Sequence, residues 1–159
     1  MINVKLITVG NLKENYLKEA EAEYIKRLGA FCRFESVQLK EVKLSEAPSQ
    51  AEIESALLAE GKNILAAMGQ RSYKIAMCVE GKQLPSEGLA SLIEGATAQH
   101  SEICFVIGSS HGLHESVKKA CHCRLSVSQL TFPHQLMRVI LLEAVYRGFN
   151  IIKGTKYHK

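Results

Sequence analysis

At 159 residues the chain has the size of one domain, long enough to bury about two-thirds of its unfolded surface, so residues 1–159 are expected to form a single unit. With 47% hydrophobic and 23% charged residues it has a globular composition; no apolar run approaches the roughly 20 residues of a membrane helix, and Met1 to Lys5 lacks the basic start and apolar core of a signal peptide, which argues against a membrane or secreted protein and for the cytoplasm. The formal charge of +4 is concentrated from Leu130 to Lys159, where Arg138, Arg147, Lys153, Lys156 and Lys159 face Glu143 alone; such a local basic surface suits a polyanion such as RNA, and equally a solvated helix end.

Val4 to Gly10 reads as a strand stopped by glycine, and Tyr16, Ala20, Tyr24, Ile25 and Leu28 recur at helical spacing. Phe34 to Lys40 alternates as a half-buried strand, the polar Glu41 to Gln50 stretch is loop-like, and Ile53, Leu57, Leu58, Ile64 and Leu65 mark a second helix that Gly61 weakens or breaks. Tyr73 to Val79 is a buried strand ended by Glu80-Gly81, and a helix begins at Ser86 after Pro85. Ile103 to Ile107 is a strand apolar on both faces; a glycine-bounded turn, Gly108-Ser109-Ser110-His111-Gly112, follows at once, and Leu113 to Ala120 has helical spacing. Arg124 to Ser128 alternates as a last strand, and a second turn, Gln129 to Pro133, feeds a helix from about Pro133 to Phe149. That helix is apolar around most of its circumference and requires burial on more than one side. Strands alternating with helices predict an α/β fold, a mainly parallel sheet with helices on both faces, and the two turns are expected at the carboxyl edge where such sheets bind ligands.

The five cysteines suit reduced thiols, with Cys32, Cys78 and Cys104 in strand-like runs. Cys121-His122-Cys123 lacks a second ligand pair for a structural zinc site, so no metal is expected. Neither a dinucleotide fingerprint nor a phosphate loop is present: the Gly108 turn lacks a middle glycine, and Gly61-Lys62 and Gly81-Lys82 have Ala56 and Ala76 where the first glycine belongs. His134 and Arg138, four apart, share a helix face and suggest capping or surface contacts. Gly108-x-Ser110-x-Gly112 matches a nucleophile elbow, with Ser110, Glu143 and His158 in hydrolase order, although the chain has no Asp and is short for that fold.

A wider resemblance is carried by Phe105-Val106-Ile107-Gly108, Gly112-Leu113, Thr131 to Arg138, Glu143 to Arg147 and the terminal Tyr157-His158-Lys159, with Lys5 to Gly10 and Glu23 to Leu28 extending it to the start. Together these resemble the RlmH family of SPOUT methyltransferases. The resemblance implies methyl transfer from S-adenosylmethionine to ring nitrogen three of a pseudouridine in large-subunit (23S) ribosomal RNA, a homodimer, and a carboxyl-terminal trefoil knot, rare among proteins. It implies cofactor contacts from Met77, Gly108, Val127, Ser128, Gln129, Leu130, Thr131 and Phe132. One departure is Ser109, where the family's turn usually has a second glycine; it is expected to tune cofactor affinity, not abolish it. Because the ring nitrogen must lose a proton, His158, Arg138 and Lys159 are candidates to take it or to stabilise the charge left; His158, Arg138 and Tyr157, which would stack on or hydrogen-bond the target, make up the catalytic set, and Arg138, Arg147, Lys153, Lys156 and Lys159 are the cations for RNA. The tail is expected to complete a site of the other subunit. The competing class is a basic module that holds ribosomal RNA without chemistry.

Overall fold

The computed structural model describes residues 1–159. In chain order the elements are β1 (Ile2–Val9), α1 (Asn15–Leu28), β2 (Cys32–Leu39), α2 (Gln50–Ala67), β3 (Ser72–Gln83), α3 (Ser86–Gln99), β4 (Glu102–Ile107), α4 (Glu115–Ala120), β5 (Cys123–Ser126) and α5 (His134–Lys153). The five strands form one sheet in the order β2-β1-β4-β3-β5. Every pairing is parallel.

Alternation along the central strands sends side chains to two cores. Val4 and Leu6 of β1, Ile75 and Met77 of β3, and Ile103, Phe105 and Ile107 of β4 pack with Leu28 of α1, Leu89 and Ile93 of α3, and Leu141, Leu142, Val145 and Phe149 of α5. Ile7, Val9, Ala76, Cys104 and Val106 point the other way, onto Ile64 of α2 and Val117 of α4. Each fully buried Leu, Ile or Phe contributes about 1.5–3 kcal/mol, so these central strands, covered on both faces, anchor the fold.

Several boundaries differ from the sequence reading. Helix α2 runs unbroken through Gly61, and its start is fixed by a capping box between Ser49 and Glu52. Strand β3 does not end at Glu80-Gly81: an irregularity between Met77 and Lys82 lets the strand leave Leu125 and return to it. Strand β5 is shorter than expected, which frees Val127 and Ser128 for the turn. Helix α3 starts at Ser86 as expected, but α4 starts only at Glu115, after His114 caps it through Ser116 N–H. Helix α5 continues past Phe149 to Lys153, where Gly154 at φ 66° ends it in the left-handed conformation.

Candidate active site

Two turns leave the carboxyl ends of β4 and β5, the strands on either side of β3, and with the middle of β3 and the start of α5 enclose a cavity of ≈ 640 Å³. That volume lies in the range of about 300–1,000 Å³ usual for small-molecule sites. Met77, Gly108, Val127, Ser128, Leu130, Thr131 and Phe132 line it, so seven of the eight residues expected to contact cofactor are brought together. Gln129 is exposed and lies outside the lining.

The first turn is closed on itself. Gly112 N–H donates to the Ser109 carbonyl at 2.9 Å, and Gly112 takes φ 89°. A Cβ on Gly108 would sit 2.2 Å from the Gly112 carbonyl oxygen, so only glycine permits this closure. The second turn is organised by its serines: Ser126 Oγ–H donates to the Ser128 carbonyl at 2.9 Å, and Ser128 Oγ accepts Leu130 N–H at 3.0 Å. Of the lining residues, Leu130 is 71% exposed and Val127 39%. Apolar groups left open around a mouth suit a ligand or partner that would cover them.

Charge enters the cavity at its edges, through Lys118 paired with Glu80 and through His134. Burial holds the His134 imidazole below its usual value; Arg138 and Lys13 add to this, against the opposing pull of Glu41. Because the folded chain binds the proton less readily than the unfolded one, His134 contributes stability above pH of about 6.5 that is lost as pH falls through the unfolded and then the folded value. An NMR titration is expected to place the His134 midpoint below about 6.5, and His134→Gln should flatten the acid-side loss of stability in denaturant unfolding. A midpoint at or above the ordinary value would contradict this assignment.

Arg138 corrects three expectations, in catalysis, RNA binding and surface contact. It is 0% exposed, donates through Nη2 to the Gly10 carbonyl, and faces the buried Glu21, so it presents no cation to RNA and no surface contact. Its Nε and Nη1, like Glu21 Oε1, have no protein partner, and burial pushes the Arg138 guanidinium down and the Glu21 carboxyl up. Arg138 lies outside the lining of this cavity, so in the single chain it is not placed for catalysis there.

The tail lies elsewhere. Tyr157 Oη–H donates to Glu143 Oε1 at 3.0 Å, its ring meets Tyr146 edge-on, and the Arg147 guanidinium covers it at 4.7 Å. Burial and the Glu143 carboxylate hold the phenol above its usual value, keeping the hydroxyl a donor. His158 has Arg147 Nη1 3.4 Å from Nδ1 and Glu87 Oε1 2.9 Å from Nε2, so one ring nitrogen faces a cationic donor and the other a carboxylate. Arg147 also bridges to Glu143 at 2.6 Å, while Lys153, Lys156 and Lys159 are exposed. The ten residues from Met137, at the cavity, to Arg147, beneath the tail, span about 15 Å of helix. His158 pairs with Arg147 and Glu87, Glu143 with Arg147 and Tyr157, and Ser110 Oγ with neither, so the Ser110–Glu143–His158 hydrolase order is not assembled.

Cys121-His122-Cys123 has a use of its own: His122 Nδ1 accepts Lys74 N–H at 2.9 Å and the ring stacks on Tyr73. Burial raises the Cys104 thiol to about 12 and the Cys32 and Cys121 thiols to about 11, so these are packing groups.

A parallel sheet with its ligand-sized cavity at two adjoining carboxyl-edge turns, one closed by an obligatory glycine, defines the class. The family model described as predicted SPOUT methyltransferase matches residues 2–158, and the chain belongs to that family. More particularly, it is 53% identical to the ribosomal RNA large subunit methyltransferase H of Streptococcus thermophilus, over 99% of this chain and 100% of that one. The proteins of the same name from Streptococcus suis and Leuconostoc mesenteroides subsp. mesenteroides are 46% and 45% identical over the same shares.

Proposed function

We propose that the chain is a homodimeric, cytoplasmic enzyme that methylates ring nitrogen three of a pseudouridine in large-subunit (23S) ribosomal RNA, within the assembled ribosome, using S-adenosylmethionine. The observation that carries this reading is the cavity itself, whose lining joins Gly108 to the Val127–Phe132 turn. Its residues fit the cofactor: Met77, Leu130 and Phe132 offer apolar enclosure, and the bare backbone at Gly108 and the self-bonded second turn offer fixed polar groups at close range. The carboxyl-terminal trefoil knot belongs to the same reading, and the insertion of β4 between β1 and β3 is compatible with it.

Bound there, the cofactor supplies a sulfonium methyl that is already activated, so the work left to the protein is alignment and proton removal. His158 takes the ring proton on Nδ1 once that nitrogen is released from Arg147 Nη1; Tyr157 stacks on or hydrogen-bonds the target; Arg147, Lys153, Lys156 and Lys159 neutralise phosphates. Since the tail is about 15 Å along α5 from its own cavity, it serves the cavity of a second copy more readily than its own. Met137, Val139, Ile140 and Ala144 of α5 are only half-buried in the single chain, which gives such a copy an apolar face to cover. Sedimentation at micromolar concentration is expected to give a dimer, and a clean monomer would refute it.

Calorimetry with S-adenosylmethionine and its demethylated product separates an enzyme from an RNA-holding module, which has no reason to bind either. Saturable binding of both is expected. No binding at millimolar ligand would overturn the enzyme reading.

A further inference from the structure

We propose that Glu60 is a positioning residue of the cofactor cavity, its buried carboxylate holding the Gly108–Gly112 turn through Ser109 and tying that turn to the segment after β2. The proposal rests on the S-adenosylmethionine reading above. Glu60 lies on α2 at 4% exposure, among Ala56, Leu57 and Ile64, where a leucine would serve an ordinary core. Burying a carboxylate is costly unless it is hydrogen-bonded. Glu60 has no cation partner; instead, Oε1 accepts the Ser109 hydroxyl and Oε2 accepts Val42 N–H, both at 2.9 Å. Ser109 is itself 6% exposed, follows Gly108 directly and lines the cavity.

The Ser109–Glu60 contact is the one side-chain hydrogen bond made by residues 108–112. Ser110, His111 and Gly112 are exposed, so without it the turn is held only by its own backbone and by Leu113 behind it. The rest of α2 reinforces the grip. A Cβ on Gly61 would lie 3.3 Å from His114 Cβ and from Val117, so the helix presses directly on the segment after the turn, and Glu54 Oε1 meets His114 Nε2 at 3.0 Å. The second carboxylate oxygen ties in the segment after β2: next to Val42, Glu41 approaches Gly10, which in turn lies near His134 of the cavity. Ser109, at the place of a more flexible glycine, thus supplies the hydroxyl through which the carboxylate fixes the turn that presents backbone to the cofactor. Pre-organisation of this kind is read as affinity.

Calorimetric titration of S-adenosylmethionine into the dimer tests it, alongside the KM for the cofactor in methyl transfer to ribosomes. Ser109→Ala removes only the hydroxyl and is expected to raise Kd and the cofactor KM together by about tenfold, as befits a lost hydrogen bond to a buried charge. Glu60→Ala should lose at least as much, and adding Ser109→Ala to it should change Kd by no more than about twofold, since one interaction is removed once. Glu60→Gln keeps the shape, accepting Val42 N–H and donating to Ser109 Oγ, and should restore affinity to within about threefold of wild type. If Glu60→Ala does not fold, Ser109→Ala decides alone. Wild type that binds while Ser109→Ala binds equally well, even with a lowered unfolding midpoint, overturns the proposal and leaves the cofactor reading standing; wild type that does not bind removes the cofactor reading itself.

Discussion

Replacing Gly108 with valine is expected to abolish S-adenosylmethionine binding, with no saturation at millimolar ligand. From sequence, such a change should exclude the ligand by bulk and leave the fold intact. The geometry gives a different cause. The new Cβ would stand 2.2 Å from the Gly112 carbonyl oxygen and 2.6 Å from its carbon, backbone atoms that cannot swing aside, so the turn must open before any ligand arrives. Opening it costs the Gly112–Ser109 hydrogen bond, and overpacking of this kind typically costs about 1–3 kcal/mol. A modest fall in stability should therefore accompany complete loss of the site, measurable by denaturant unfolding beside calorimetry. A folded Gly108→Val protein with wild-type affinity would place the cofactor elsewhere.

Deleting Tyr157 to Lys159 is expected to do the converse: cofactor binding and dimerisation persist while methyl transfer to ribosomes falls by about two to four orders of magnitude, the usual contribution of a general base. The deleted residues contact Glu143, Tyr146, Arg147 and Glu87, none of which lines the cavity, so binding has no reason to suffer. Pairing the truncated subunit with a Gly108→Val subunit tests whose cavity the tail serves. If tails act across the dimer, one complete site survives in each heterodimer and about half the activity returns. Purified heterodimers without methyl transfer, beside active wild-type controls, would rule out shared sites.

Much of this was legible in the residues. Runs such as Ile103 to Ile107 read as strands covered on both faces, and a glycine directly after one marks the carboxyl-edge turn; hence both turns are legible in the residues, whereas Met77, Val127 and Ser128 are expected at the cofactor only through the family resemblance. What escaped depends on partners distant in the chain. Arg138 reads as a surface cation because it is charged and near the basic tail, yet its neighbours Gly10 and Glu21 lie more than a hundred residues away and bury it completely. Glu60 reads as one more polar residue on a helix; only the approach of β4's turn and the loop after β2 gives it two donors. Glu80-Gly81 has the composition of a terminator, but Gly81 passes so close to Leu125 that β3 resumes beyond it. The end of α5 lies beyond Phe149 for a local reason, since Ile151 and Ile152 continue the helix until Gly154 supplies the left-handed cap.

The chemistry is tested most directly on ribosomes that lack the methyl group, incubated with the wild-type protein and S-adenosylmethionine labelled in its methyl. Nucleosides from the digested large-subunit RNA are then separated and identified by mass spectrometry. One labelled methyl per ribosome, on ring nitrogen three of a pseudouridine and absent with the Gly108→Val protein, is the predicted result; no transfer, or label on any other nucleoside, would contradict it.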